Sequence, residues 1–291
     1  MSQPAGPSGP TCYRHSDREA YISCQRCGRT ICPECMREAS VGFQCPECVA
    51  EGSRTVRRPR TMAGGAVRPG RENVVTMTMI GINVLAFVGT LATGGNNGTL
   101  NQWGAMLSLS SFSPESGELL TGVADGAWWR PVTSAFLHFG VLHLLLNMYA
   151  LYLFGPMAER ALGTLRYVLT YLTLAVGSSV VVYWFSDERA LTAGASGVVF
   201  GLFGFVLVLM LKLGQDVRGL LVLLAINAFI SLQGGISWQA HLGGFVTGFL
   251  LAGVLALAPR RIRPAAYWVA LALVWAVCAI GLVVRTVQLT A

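Results

Sequence analysis

The chain has 291 residues, of which 53% are hydrophobic and only 12% are charged, and its mean hydropathy is +0.55. Soluble domains carry about 25% charged residues, so this composition excludes an ordinary soluble protein and predicts a membrane protein. The net charge of +7 does not indicate a nucleic-acid partner, because the arginines cluster beside hydrophobic segments, where they orient a chain in the bilayer.

Residues 1–52 form a polar head that contains seven of the eight cysteines. Thiolate and imidazole ligands in closely spaced pairs favour zinc, and eight such ligands suit two tetrahedral ions. Only four residues separate Cys27 from Cys32, so neighbouring pairs are predicted to serve different ions in a cross-braced arrangement. Under this hypothesis one zinc binds Cys12, His15, Cys32 and Cys35, and the other binds Cys24, Cys27, Cys45 and Cys48.

The head resembles a B-box-type zinc finger, although Cys45 and Cys48 stand where histidines are often found in that family. We interpret the two zinc ions as structural, because so short a segment cannot build a sufficient apolar core alone. The spacing does not specify a purpose. A cytoplasmic protein partner is the ordinary expectation, whereas nucleic-acid binding would need a basic face.

Residues 53–73 are rich in Arg, Gly and Pro and are predicted to be a flexible basic linker without a fixed fold. No N-terminal signal peptide is recognisable, because the first long apolar run begins near Val74. Seven stretches then approach the length of about 20 residues that a crossing helix needs. They are Val74–Thr93, Leu137–Met157, Leu165–Phe185, Ser196–Leu213, Gly219–Leu232, Trp238–Leu257 and Ala265–Val284.

The basic residues predict the orientation of these seven spans. Thirteen Arg and Lys residues fall before the first span and in alternate loops, against only Arg130, Arg189 and Arg285 on the opposite side. Because cytoplasmic loops carry the excess of basic residues, the N-terminus is predicted to be cytoplasmic and the C-terminus outside. We therefore expect a multi-pass protein of the cell membrane. The loop of about residues 94–127 is longer than a simple connection between helices, so we expect it to be functional or to form small elements of its own.

Polar residues on three spans are predicted to lie at one depth near the outer face. They are His143 and Asn147 on the second span, Ser196 on the fourth and His241 on the sixth. A histidine can activate a serine hydroxyl as a nucleophile, which predicts Ser196 and His241 as catalytic residues. Their partners His143 and Asn147 are predicted to donate hydrogen bonds to an oxyanion. Since no acidic residue is within obvious reach of His241, this would be a Ser–His dyad.

Each feature alone also has a simpler interpretation. The glycines around Ser196 are common at helix contacts, and a single membrane histidine can be a proton relay or a hydrogen-bonded core residue. We interpret His138 as an interfacial residue. The combination of a serine, two histidines and an asparagine at one depth is what favours catalysis.

The membrane body resembles the rhomboid family of intramembrane serine proteases over residues 74–257. The matching motifs are Trp129-Arg130, the spacing of His138, His143 and Asn147, the set Gly155, Glu159 and Gly163, Gly194-Ala195-Ser196-Gly197, and Ala240-His241 with Gly244 and Gly248. One position departs from the pattern, because Ile236 stands where a glycine is expected. The resemblance implies an all-α polytopic fold with a six-helix catalytic core, here followed by a seventh helix within residues 258–291.

The resemblance also implies a function. It assigns Ser196 as nucleophile, His241 as general base, and His143 and Asn147 as oxyanion donors, with no cofactor for catalysis. The implied substrates are single-span membrane proteins, unwound and cut near the outer membrane face. Two alternatives remain at this point. A non-proteolytic rhomboid-like binder of membrane clients would not need the nucleophile, and a transporter would not need a glycine-flanked serine and would be expected to show repeated halves.

Overall fold

The computed structural model describes residues 9–55, 60–65, 73–113, 116–232 and 235–291. Over these residues the chain forms ten α-helices and three two-stranded antiparallel β-ribbons. It divides into two compact units, Met1–Arg58 and Pro59–Ala291.

The first unit is built from two small ribbons and one helix. Strand β1 (Ile22–Ser23) pairs with β2 (Thr30–Ile31), β3 (Arg37–Glu38) pairs with β4 (Phe43–Gln44), and α1 spans Pro46–Thr55. Six of the eight members of its buried cluster are cysteines, and the other two are Ala20 and Ile31. Because so little apolar surface is buried here, this unit needs a further source of stability.

The second unit is helical and apolar. Its helices are α2 (Val74–Ala92), α3 (Thr99–Gly104), α4 (Arg130–Thr133), α5 (Val141–Leu162), α6 (Thr164–Phe185), α7 (Ser196–Lys212), α8 (Arg218–Ser231), α9 (Trp238–Leu257) and α10 (Arg263–Thr290). Among the described residues, α2, α5, α6, α9 and α10 are long and apolar enough to cross a membrane. The apolar helices α7 and α8 are shorter, at 17 and 14 residues. The chain is therefore an all-α multi-pass membrane protein, as predicted.

The second span differs from its predicted bounds of Leu137–Met157. Helix α5 begins only at Val141, because Leu137 is extended and Gly140 has a φ of 97°, a conformation that glycine adopts without strain. Its C-terminal end lies at Leu162, followed by Gly163 at a φ of 80°. His143 and Asn147 consequently lie within the first two turns of α5.

The predicted linker of residues 53–73 contains ordered elements where the structure describes it. Helix α1 continues to Thr55, and residues 60–65 pack against the end of α5. The Thr61 hydroxyl donates to the Leu162 carbonyl (3.3 Å), and the Ala63 N–H donates to the Ala161 carbonyl (3.1 Å). The last carbonyls of a helix have no partner within it, so this turn supplies the missing donors. The rest of the linker, residues 56–59 and 66–72, lies outside the described residues.

The long loop before α5 forms small elements of its own, including α3 and the ribbon of β5 (Ser111–Phe112) with β6 (Leu119–Leu120). Buried Arg130 holds the loop together by donating to the carbonyls of Ala105 and Thr121. Burial lowers the pKa of Arg130 to about 10, so its guanidinium remains charged at neutral pH. These contacts give the loop a structural role.

Helix α10 packs along α6 through polar contacts. Tyr267 and Thr170 share a hydrogen bond between their hydroxyls (2.8 Å), and the Trp275 indole N–H donates to Thr173 (2.9 Å). Arg285 forms an ion pair with Glu188 (2.8 Å) in the segment between α6 and α7. The seventh helix is thus attached to the six-helix body along much of its length.

Glycines bring α7 and α9 into direct backbone contact. A Cβ placed on Gly244 would overlap the carbonyl oxygen of Gly197, and one on Gly248 would overlap that of Gly201. Small residues permit this close approach of helices in membrane proteins. The packing sets the spacing between the start of α7, where Ser196 lies, and the first turn of α9, where His241 lies.

We expect Gly244→Ala to separate α7 from α9, because the new methyl group meets backbone that cannot rotate away. Overpacking of this kind costs about 1–3 kcal/mol of unfolding free energy, which thermal denaturation in detergent would measure. The matched control is Gly253→Ala on the same helix, where a Cβ meets no atom within 4 Å. Equal melting temperatures for the two variants would contradict the prediction.

Candidate active site and metal centres

A cavity of about 740 Å³ lies among α5, α6, α7, α8 and α9. All four residues that the sequence predicts for catalysis line it: His143, Asn147, Ser196 and His241. Much of the remaining wall is apolar, with leucines from α5 (Leu142, Leu146) and residues of α8 such as Ile230. Few polar groups in an apolar cavity are typical of a binding or active site.

Ser196 is the first residue of α7, so the free N–H groups of the helix start surround it. The preceding Gly194 has a φ of 144°, and its N–H donates to the Ser134 carbonyl (2.9 Å), which fixes the turn that leads into the helix. The Ser196 hydroxyl makes no hydrogen bond to any residue that the structure describes. Ser196 is half-buried at the cavity wall, and its hydroxyl proton is not engaged by any described residue.

His241 lies in the first turn of α9, whose start is capped by the Ser237 side chain. Its imidazole stacks on the Phe200 ring, with centroids 4.0 Å apart and planes 7° from parallel. Phe200 follows Ser196 by four positions, so both side chains lie on one face of α7. Within the described residues the imidazole Nε2 is buried without a hydrogen-bond partner, and no bond joins it to Ser196. These contacts do not test the Ser196–His241 dyad, which stays a prediction.

Of the two predicted oxyanion donors, His143 lies beside the turn that leads to Ser196, and Asn147 lines the same cavity. A Cβ added to Gly194 would come within 2.7 Å of Cε1 and Nε2 of His143 and 3.6 Å of the Ser196 Oγ, so the imidazole reaches the turn before the serine. The Asn147 amide donates one N–H to the His143 carbonyl (2.8 Å). An amide nitrogen carries two protons, which leaves one for a ligand.

His138 is not the interfacial residue that its sequence position suggested. Its side chain is fully buried, and its ring meets that of His143 edge-on at 5.1 Å. The Ala195 N–H points to its Nε2 at 3.4 Å. His138 consequently supports the backbone next to Ser196.

Sequence reasoning missed Ser231 and Phe200, which both contact His241. The Ser231 hydroxyl lies 2.6 Å from the imidazole Nδ1. An aromatic residue four positions after a predicted nucleophile could have been recognised by helical spacing. Ser231 offered no such signal, because the loop between α8 and α9 decides whether it meets His241.

In the head, the cysteines and the histidine come together in two sets of potential metal ligands. One set contains Cys12, His15, Cys32 and Cys35, and the other contains Cys24, Cys27, Cys45 and Cys48. The ligand atoms within each set lie within 4.8 Å of one another. These are the two sets of the cross-braced hypothesis. Both groups could hold a metal ion.

The spacing of the ligand atoms can be compared with zinc. Zn–S bonds of about 2.3 Å in a tetrahedron place two sulfurs about 3.8 Å apart. The Sγ atoms of Cys27 and Cys45 are 3.8 Å apart, and His15 Nδ1 lies 3.3 and 3.5 Å from the Sγ atoms of Cys32 and Cys35. The donor set and its dimensions therefore fit zinc.

Hydrogen bonds to sulfur favour the thiolate form at some of the ligands, whereas burial raises the pKa of the Cys35 thiol to about 11. The N–H of Cys45 donates to the Cys24 sulfur (3.2 Å), and the Arg29 guanidinium donates to the Cys27 sulfur (3.3 Å). Burial raises the pKa of the Cys24 thiol, but the surrounding backbone N–H groups more than offset this and lower it to about 6. Thiolates are the form that binds a metal ion.

Comparison with known proteins gives one consistent family. The Rhomboid domain model matches residues 125–258. YdcA, a rhomboid protein of Bacillus subtilis (strain 168), is 38% identical over 137 residues, which are 45% of this chain and 69% of that protein. The rhomboid protease GluP of the same organism is 31% identical over 198 residues, 66% of this chain and 37% of GluP. RHOMBOID-like protein 4 of Arabidopsis thaliana is 36% identical over 139 residues, 45% of this chain and 35% of that protein.

Proposed function

The chain belongs to the rhomboid family, and on that premise we propose that it is an intramembrane serine protease that cleaves transmembrane helices. The observation that carries the proposal is the shared cavity, because it places a serine, two histidines and an asparagine from three helices around one space. The name of the relative GluP describes it as a rhomboid protease, although this chain spans only 37% of its length.

In the proposed mechanism Ser196 is the nucleophile and His241 is the general base. The His241 Nε2 takes the hydroxyl proton as Ser196 Oγ attacks the carbonyl carbon of the substrate peptide bond. The C–N bond then breaks, and the imidazole returns the proton to the leaving amine. Water then attacks the acyl carbon. His241 takes a proton from this water and gives it to the Ser196 oxygen as the acyl group leaves. The unengaged hydroxyl of Ser196 and the unpartnered His241 Nε2 support these assignments.

The oxyanion that forms in this attack needs donors within the cavity. We assign His143, the Asn147 amide and the backbone N–H of Ser196 to this role. Asn147→Ala is expected to lower kcat by about 10²–10³-fold, as removal of one oxyanion donor does in other proteases, while KM changes little. Kinetics with a purified single-span substrate would measure this. Asn227→Ala is the matched control, since Asn227 also lines the cavity and its amide makes the same bond to the preceding turn, but it is not one of the assigned oxyanion donors.

We propose that cleavage occurs near the outer face of the cell membrane. The excess of Arg and Lys in alternate loops supports a cytoplasmic N-terminus and an external C-terminus. Under this orientation Ser196 at the start of α7 and His241 in the first turn of α9 both lie near the outer surface, where water is available for hydrolysis. Helix-breaking residues in a substrate would favour cleavage there.

The experiment that tests the function combines a serine probe with substrate mapping. The purified chain in detergent is treated with a fluorophosphonate, and the labelled peptide is identified by mass spectrometry. In parallel the chain is co-expressed with a single-span protein tagged at both ends, and the cut ends are sequenced. We expect label on Ser196 and a cut in the outer part of the span. Absence of both would favour a binder of membrane clients, which has no reactive serine.

For the head we propose two structural zinc ions, one in each set of four ligands. Their contribution would be to hold the two ribbons and α1 together, since the buried cluster there contains only two residues that are not cysteine. Catalysis in the membrane unit requires no metal in this scheme.

A further inference from the structure

Ser231 is the last residue of α8 and lies ten positions before His241 in the chain. Its side chain is buried, and its Oγ is 2.6 Å from the Nδ1 of His241. We propose that Ser231 is a positioning residue that holds the His241 imidazole in the tautomer with its proton on Nδ1, so that Nε2 can accept the proton of Ser196. This inference rests on the proposed function and adds a third residue to the dyad.

The direction of the hydrogen bond follows from the number of protons available. A serine hydroxyl has one proton and can accept two further bonds. The Ser231 Oγ also lies 2.7 Å from the Asn227 carbonyl, a bond to the preceding turn in which the hydroxyl must be the donor. With its only proton engaged there, Ser231 accepts at its second contact. The Nδ1 of His241 is then the donor.

The opposite tautomer leaves a donor unsatisfied. If Nε2 carried the proton, it would be a buried N–H without a hydrogen-bond partner among the described residues. Orphaned buried N–H groups are rare in native structures. With the proton on Nδ1, Nε2 instead carries a free lone pair, and His241 lines the same cavity as Ser196, whose hydroxyl proton is unengaged.

Ser231 and Phe200 constrain the imidazole in different ways. Stacking on Phe200 sets the plane of the ring, but an aromatic face does not distinguish the two nitrogens. Ser231 does distinguish them, because it contacts Nδ1 alone. Among the carboxylates that the structure describes, none is hydrogen-bonded to His241. Ser231 therefore occupies the position at which an acidic residue orients the histidine in a Ser-His-Asp triad.

The first test is kinetic. Ser231→Ala is expected to lower kcat by about 10–100-fold, the loss that follows removal of a group that orients a metal-ligating histidine, with KM unchanged. Ser231→Thr keeps a hydroxyl that can bond to the preceding turn and is expected to restore most of the rate. Thr78→Val is the matched control, because Thr78 makes the same bond to its preceding turn (2.7 Å to Val74) at an exposed position. A Ser231→Ala variant with the kcat of wild type would overturn the inference.

The second test observes the tautomer in the resting protein. Nitrogen NMR of the full chain labelled at histidine, with the His241 signals assigned by their loss in His241→Ala, is expected to show Nδ1 protonated and Nε2 unprotonated. In Ser231→Ala the two tautomers are expected to mix. A wild-type spectrum with the proton on Nε2 would refute the inference even if Ser231→Ala failed to fold.

These outcomes separate the inference from the proposed function. Cleavage that survives Ser196→Ala would refute the protease mechanism, whatever Ser231 does. Cleavage that depends on Ser196 and His241 but is unchanged by Ser231→Ala would refute only the role of Ser231.

Discussion

Replacing Ser196 with alanine is expected to lower kcat by about 10⁴–10⁶-fold, because no other hydroxyl at the start of α7 can form the acyl-enzyme. The fold should persist, since the Ser196 hydroxyl is half-buried and makes no hydrogen bond within the described part of the chain. Single-turnover cleavage of a purified single-span substrate measures the loss. The melting temperature, compared with that of wild type, reports on folding.

His241→Ala supplies the sharper comparison. Residues that act as one unit are non-additive, so the double variant of Ser196 and His241 is expected to be no slower than the slower single variant. If the two losses multiplied, the residues would act independently, and the dyad would be wrong. Ser179→Ala is a suitable control, because this buried serine also lines the cavity but donates to the Pro131 carbonyl (2.8 Å).

Removing metal is expected to unfold the head. Structural zinc contributes about 10–16 kcal/mol in small finger domains, which exceeds the stability that the few buried apolar residues of this unit can provide. Metal analysis of the full chain should find two equivalents of zinc. After chelation, limited proteolysis should cut within residues 9–55, and the same region should resist cleavage when zinc is present.

Single substitutions distinguish the two metal sites. Cys24→Ser is expected to lose the ion of its own set, leaving one equivalent, because the two sets share no ligand. Cys278→Ser is the control, since this buried cysteine of α10 belongs to neither set. Two equivalents of zinc in the Cys24 variant, or fewer than two in wild type, would contradict the cross-braced assignment.

The main features of the site could be predicted because they depend on helix periodicity and depth. His143 and Asn147 are one turn apart on a single helix, and Ser196 and His241 each lie at a helix start. Counting residues along the spans therefore predicts that all four lie at a similar depth in the membrane. The structure adds that all four line one cavity. The two metal sets were predictable for a similar reason, because short spacings restrict which pairs can meet.

Features that depend on loops could not be predicted. Ser231 and His241 lie on different helices, and nothing in the sequence neighbourhood of Ser231 indicates that the two meet. Residues 60–65 belong to a stretch rich in Arg, Gly and Pro that predicts a flexible linker, yet Ala63 is fully buried and its N–H donates to the Ala161 carbonyl at the end of α5. Composition reports the average behaviour of a segment, whereas the free carbonyls at a helix end determine what packs there.

Glu159 near the end of α5 accepts hydrogen bonds from the backbone N–H groups of Val75 and Thr76 (both 2.9 Å) and from the Thr76 hydroxyl (2.7 Å). These donors belong to the first turn of α2 and lie 84 and 83 residues before their acceptor in the chain. The first N–H groups of a helix have no partner within it, so the Glu159 carboxylate supplies acceptors that α2 cannot provide for itself. One side chain thereby joins the start of the first long apolar helix to the end of the second through three hydrogen bonds.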